Sequence, residues 1–280
     1  MTYSFTSYDG TRLGYRVLGS GPPLVCLPGG PGRAGEYLGD LGGLDAQRRL
    51  VLLDPRGVGL SADPVDPATL RADRLVEDVE ALRRHLGVEQ MDLLAHSAAG
   101  ILATLYAAAY PERLSRLILV TPGLAALGVY PSEEQFDLVL ERLSGEPWYP
   151  DARAALDRIL GGELSRETFD ASRPLFYRRW DAAAREHASV GVAERYQAAR
   201  EGYGAGLVLD PTATQAALKN LTAPVLLLAG KLDSMVTPAM VRQAAALLPH
   251  ASAAVLETAA HFPWVDDAAG FAAAVRPFLD

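Results

Sequence analysis

The stretch LPGGPGRAG, residues 27–35, carries the choice between two folds. Taken as Gly30, Gly32 and Gly35 it is G-x-G-x-x-G, the loop that cradles a dinucleotide pyrophosphate. Taken as Gly29, Gly30, Pro31 and Gly32 it is a tight turn whose backbone N–H groups face a developing oxyanion. A dinucleotide site needs a sturdy helix after the loop and an acid about 20 residues further on. Asp54, 19 positions past Gly35, meets the spacing. The helix requirement fails, because EYLGDLGGLDAQ carries Gly39, Gly42 and Gly43, each of which weakens a helix by roughly 1 kcal/mol relative to Ala.

Working outward, apolar runs rich in Val, Ile and Leu lie at 13–18, 23–28, 50–54, 91–95, 116–121, 224–229 and 252–257. Helical patterns separate most of them. TLRADRLVEDVEALRRHLG sets Leu70, Leu75, Val79, Leu82 and Leu86 on one stripe, and ILATLYAAAYPERL reads as a helix from about residue 98 until Pro111 stops it. Continuous apolar strands alternating with helices predict an α/β domain around a mostly parallel sheet covered on both faces. The first two runs are expected to form an antiparallel start.

Between Thr121 and Pro224 the alternation stops, and helical patterns follow with breaks at Gly145, Pro150, Gly161, Gly162, Pro174 and Pro211. The expected division is a core of residues 1–122 and 223–280 with a helical cap of residues 123–222. The cap covers the strand ends where open α/β sheets place ligands. Ten aromatic residues fall in it: Tyr130, Phe136, Trp148, Tyr149, Phe169, Phe176, Tyr177, Trp180, Tyr196 and Tyr203. A few are expected to line a pocket and the rest to pack the cap.

Composition excludes several classes of function. Lys and Arg number 26 against 34 for Asp and Glu, a net charge of −8 with no basic block, so nucleic acid is not an expected partner. No window approaches 18 uninterrupted apolar residues, and the N-terminus has no apolar core of a leader; a soluble, cytoplasmic protein is expected. The single Cys26, in PLVCLP, reads as a buried strand residue.

The chemistry lies in His96-Ser97-Ala98-Ala99-Gly100, which follows MDLLA and opens a helix. A serine at a sharp strand-to-helix turn projects its hydroxyl above the sheet, where the helix N-terminus favours negative charge. Serine alone is a weak nucleophile, so a base and an orienting acid are required later in the chain. Of the five histidines, His85, His187 and His250 read as surface residues, and His96 points elsewhere from its neighbour at the turn. His261, in ETAAHFPWVDD, follows the last apolar run. Asp233, after PVLLLAG, again sits between a strand and a helix; by itself it reads equally as an N-cap. Ser97, Asp233 and His261 together occupy three strand-end loops in the order Ser, Asp, His.

Five segments now resemble the α/β-hydrolases and, within them, the proline iminopeptidase group. They are LPGGPG (27–32), DPRGVGLS (54–61), AHSAAG (95–100), GKLDSMVTP (230–238) and AAHFPWVDDAAGF (259–271). The resemblance implies Ser97 as nucleophile, Asp233 as orienting acid, His261 as base, and the backbone N–H groups of Gly30 and Ala98 as the oxyanion hole. It implies no cofactor and no metal. The chain departs from the pattern at Pro28, where the group has His, and at Ala95 and Ala99, where it has Gly. Asp54 and Arg56 would, by resemblance, brace the loops around the elbow; their residues alone read as a turn with an internal ion pair. Asp266 and Asp267 read as caps of the last helix.

The function expected is hydrolysis of a small-molecule or short-peptide amide or ester through an acyl-enzyme. A proline iminopeptidase-like aminopeptidase leads, with Glu133, Glu134, Glu141, Glu146, Glu194 and Glu201 of the cap as candidates to hold a free amino terminus. An esterase or lactonase for small apolar acyl compounds is the alternative. A hydrolase-fold binding protein whose catalysis is lost to Pro28 and the altered elbow is the alternative of another class.

Overall fold

The computed structural model describes residues 1–163, 165–190 and 196–280. Strands β1 (Thr2–Thr6), β2 (Arg12–Leu18), β3 (Pro23–Leu27), β4 (Arg49–Leu53), β5 (Met91–His96), β6 (Leu114–Val120), β7 (Val225–Gly230) and β8 (Ala251–Leu256) form one sheet. Their spatial order is β1-β2-β4-β3-β5-β6-β7-β8. From β4 onward every pairing is parallel; β1–β2 and β2–β4 are antiparallel.

The antiparallel start is therefore β1 and β2, and the expectation that the runs at 13–18 and 23–28 form it is corrected. β3 runs parallel to both neighbours because its seat is beside β4 and β5, in the middle of the sheet. β1 had no apolar signature: only Phe5 of TYSFT is buried, as suits an edge strand.

The period-2 alternation of the central strands divides the core in two. Val25, Leu27, Val51, Leu53, Leu93, Leu117 and Leu227 face one side, where helices α1 (Ala72–His85) and α2 (Ala99–Ala109) pack. Leu24, Cys26, Leu50, Leu52, Leu94, Ile118 and Leu226 face the other. Cys26 is buried there, and enclosure pushes its thiol far above the usual range.

Between β6 and β7 the described residues form no strand, only helices: α3 (Glu133–Glu141), α4 (Tyr149–Leu160), α5 (Arg166–Ser172), α6 (Ala182–Ser189), α7 (Tyr196–Gly204) and α8 (Pro211–Leu218). Pro150, Pro174 and Pro211 open helical turns rather than ending them, since a first-turn residue has no N–H partner to lose. The chain then continues through α9 (Pro238–Leu247), α10 (Pro263–Asp266) and α11 (Ala268–Leu279), the last supplying Phe271, Val275 and Leu279 to the second face. No described helix is long and apolar enough to cross a membrane.

Candidate active site

At the C-terminal end of β5 the chain turns at Ser97, whose φ of 54° lies in the left-handed region, and enters α2 two residues later. The turn is held from both sides. Ser97 N–H donates to Val120 O at 3.1 Å, and Ser97 O accepts from Gly100 N–H at 2.8 Å and Gly123 N–H at 2.7 Å. Gly100 is the elbow glycine that cannot change, because a Cβ there would stand 2.5 Å from Pro122 Cβ. Ala95 and Ala99 are buried in the core, and the elbow closes around their methyl groups.

Asp233 follows β7 and is fully buried. One carboxylate oxygen accepts from Met235 N–H at 2.7 Å; the other lies 2.9 Å from His261 Nδ1. His261 Nε2 is 2.8 Å from Ser97 Oγ. A carboxylate only accepts, so Nδ1 carries the imidazole proton and Nε2 offers its lone pair to the serine hydroxyl. The three residues read from separate loops stand in one hydrogen-bonded line.

The opening loop comes next to this line. Gly30 has φ 118° and precedes a cis peptide to Pro31. Gly29 has no room for a side chain: a Cβ would lie 2.7 Å from both His96 O and Ser97 Cβ. After the loop comes only a 3-10 turn, Gly35–Leu38, so the long helix of a dinucleotide site is absent. Asp54, which matched the acid spacing, accepts instead from Gly35 N–H at 2.7 Å and Leu60 N–H at 2.9 Å.

The expected internal pair between Asp54 and Arg56 is corrected. Asp54 pairs with Arg16 of β2, while the fully buried Arg56 pairs with Asp78 of α1 and with Asp9. The two side chains leave the turn in different directions and tie it to two different elements. Behind the elbow Pro28, Arg56, Ala99 and Tyr203 border a cavity of about 20 Å³, room for about one water.

Above Ser97 opens a larger cavity of about 410 Å³. Its walls include Leu124, Val129, Phe169, Phe176, Met235 and Met240, with Gly30, Ala98, Ser97 and His261 at the floor. Three arginines reach it, each already engaged. Arg33 donates to His187 O and Val190 O, Arg173 to Ala188 O, and both Arg173 and Arg166 pair with Asp170. Asp170 is the only carboxylate among the described lining residues. Glu141, Glu146 and Glu201 are exposed and not among those lining the cavity; Glu194, and the side chains of Glu133 and Glu134, lie outside the described residues. The same holds for the side chains of Phe136 and Tyr196.

His187 is corrected from surface to interior. Its Nε2 is 2.9 Å from Tyr37 O and its Nδ1 2.7 Å from Tyr177 Oη, and burial, with Arg33 nearby, brings its pKa down to about 4. His85 and His250 are exposed, as expected. Asp267 caps α11 through Gly270 N–H, but Asp266 does not cap that helix. It accepts from Ala260 N–H at 2.8 Å and Arg178 N–H at 3.1 Å, and burial raises its pKa to about 6.

Residues without a sequence signal also shape the site. Ser234 Oγ donates to Leu175 O at 2.9 Å and His261 N–H to Phe176 O at 3.1 Å, so the segment after α5 is strapped to the acid and base loops. Thr121, with φ 40°, donates from Oγ1 to His261 O at 3.0 Å. Among the described residues no group of three or more His, Cys, Asp or Glu side chains is placed to hold a metal ion.

A mostly parallel sheet with a Ser–His–Asp line in the loops at its strand ends defines the class of the molecule, an α/β hydrolase. The chain belongs to the alpha/beta hydrolase fold family, which it matches over residues 22–268. It is similar along its whole length to a proline iminopeptidase of Heyndrickxia coagulans, 25% identical over 296 aligned residues covering 100% of this chain and 99% of that protein. An esterase of Rhodococcus sp. ECU1013 is 26% identical, with a TM-score of 0.70 and coverage of 99% and 98% of the two chains. A thermophilic esterase of Thermogutta terrifontis shares the fold at a TM-score of 0.70 and 22% identity, over 100% and 98% of the chains.

Proposed function

We propose that this hydrolase works by acyl transfer through Ser97. His261 Nε2 takes the hydroxyl proton as Oγ attacks a substrate carbonyl, and Asp233 holds the imidazole in the tautomer that makes this possible. The N–H groups of Gly30 and Ala98 stabilise the oxyanion, each by roughly 3 to 4 kcal/mol in the transition state. The proton on His261 passes to the leaving group, and a water activated by the same nitrogen releases the acid. Residues 123–222 form the cap over this centre. The observation that carries the reading is the unbroken line from Asp233 through His261 to Ser97, opening onto the apolar cavity.

For the substrate, the cavity favours a small carboxylic ester or lactone with an apolar acyl part. An ammonium group entering it meets three arginines and one carboxylate that is already ion-paired, among the described residues. The second reading, release of an N-terminal residue such as proline, is supported by the full-length similarity to a proline iminopeptidase. That reading requires a carboxylate beside the substrate's amino terminus.

A hydrolysis panel of short-chain aryl esters, lactones, proline arylamide and other aminoacyl arylamides decides between them. Turnover of esters or lactones alone supports the first reading; preferential turnover of proline arylamide overturns it in favour of the peptidase. Labelling by a fluorophosphonate, lost in Ser97→Ala, separates both from a binding protein. A folded wild type that takes no label and turns over nothing sinks the catalytic reading.

A further inference from the structure

His96 immediately precedes Ser97, and its imidazole is enclosed beneath the site with 1% of its surface exposed. Nε2 lies 2.9 Å from the carbonyl oxygen of His261, and Nδ1 lies 2.6 Å from the Tyr37 hydroxyl. A carbonyl accepts and never donates, so Nε2 carries the proton and Nδ1 presents a lone pair. Tyr37 must then give its proton to Nδ1, and its oxygen accepts from Gly29 N–H at 2.7 Å. The result is a one-way line of donors: Gly29 N–H to Tyr37, Tyr37 to His96, His96 to the backbone of His261.

The line needs a neutral His96, since a second N–H at Nδ1 would displace the Tyr37 proton. Burial, with the His261 ring 4.9 Å away, holds the imidazole well below its usual pKa. A buried histidine whose two nitrogens are each matched by a partner of the right polarity is a fixed spacer.

Both ends of the line are parts of the reacting centre. Gly29 packs against the Ser97 side chain, and the peptide that follows it carries the Gly30 N–H. Pro28 has no N–H, so Gly29 N–H is the first donor the loop can offer to a tether. At the other end, the His261 carbonyl also accepts from Thr121, so two donors set the height of the loop that carries the base. None of these contacts reaches Ser97 Oγ, yet together they tie the oxyanion loop to the base loop around it.

We propose that Tyr37 and His96 are positioning residues for the hydrolysis, holding the oxyanion donors and the His261 imidazole at a set separation on either side of Ser97. The assignment rests on the serine-hydrolase reading above. Its size follows from how steeply acyl transfer depends on alignment: a displacement of about 1 Å in a reacting group can cost roughly 100-fold in rate.

The test uses the full chain as Tyr37→Phe, His96→Gln, His96→Leu and Ser97→Ala beside wild type. It measures the second-order rate of fluorophosphonate labelling, kcat and KM on whichever aryl ester wild type hydrolyses, and the thermal midpoint. Tyr37→Phe and His96→Leu are expected to lower kcat and the labelling rate roughly 10- to 100-fold. KM should change far less than kcat: both residues border the cavity, but Tyr37→Phe keeps its ring there and His96→Leu keeps an apolar wall. His96→Gln keeps a donor for the His261 carbonyl and an acceptor for Tyr37, and should recover most of the loss.

A folded Tyr37→Phe that labels at the wild-type rate overturns the assignment, and so does a folded His96→Gln as slow as His96→Leu. If His96→Leu does not fold, Tyr37→Phe decides, since it removes one hydroxyl and keeps the ring. Ser97→Ala takes no label if the underlying reading holds; labelling that survives it sinks that reading instead, whatever Tyr37→Phe does.

Discussion

Ser97 sits at φ 54°, a conformation that non-glycine residues adopt only when their surroundings insist, and three backbone hydrogen bonds supply the insistence. The strain lifts Oγ clear of the sheet and toward His261 Nε2. Ser97→Ala should keep the fold and lower kcat by roughly 10⁶-fold, measured on any substrate the wild type turns over. Asp233→Asn should lower it by roughly 10⁴-fold with little change in the thermal midpoint, because an amide at that place favours the wrong imidazole tautomer. A loss of less than 10-fold in Asp233→Asn would show that the acid does not orient the base. At this scale Ser97, Asp233 and His261 were legible in the sequence because each follows an apolar run that ends at the same edge of the sheet. His187 was not, since nothing in AREHA announces that Tyr37 and Tyr177 will close over it.

Among the elements, helix α6 is tied to the 3-10 turn at Gly35–Leu38 by a contact that titrates, from His187 Nε2 to Tyr37 O. His187 of α6 is neutral in the fold, with a pKa of about 4 against an ordinary value of 6.5. The unfolded chain therefore binds this proton first as the pH falls. Stability contributed here is complete above about pH 6.5 and is lost progressively as the pH drops toward 4. His187→Gln, which retains one donor and one acceptor, should remove that part of the acid dependence. Thermal melts of wild type and variant between pH 7 and 4.5 test it: the gap between their midpoints must change with pH, and parallel curves would refute the assignment. Strand β1 was illegible at the same scale, because one buried residue in five leaves no alternation to read. Strands β5 and β7, buried throughout, left no doubt of their place.

For the molecule as a whole, Arg56 is the joint between the loop after β4, helix α1 and the first hairpin. It is fully buried and bonds to Asp78, Asp9 and Thr11. Removing one partner of such a group strands the other in the interior. Arg56→Met should therefore destabilise the protein by about 3 to 5 kcal/mol in urea unfolding, and adding Asp78→Leu should restore part of the loss. If the double variant is no better than the single one, Arg56 contributes through its packing and not through its charge.

The chain order of strands β2 to β8 and the helices between them, the two-sided core and the three loops that carry Ser97, Asp233 and His261 were determined by the sequence alone. They follow from local patterns: apolar runs of strand length, helical stripes, and polar residues placed where a run ends. Partners across the fold were decided only in three dimensions. Asp54 meets Arg16 and not the nearer Arg56; Asp266 reaches back to Ala260 and across to Arg178; Tyr37 meets His96. Each of these depends on the register and spacing of elements far apart in the chain, and a side chain's partner is set by where neighbouring backbones bring it, which no local pattern encodes.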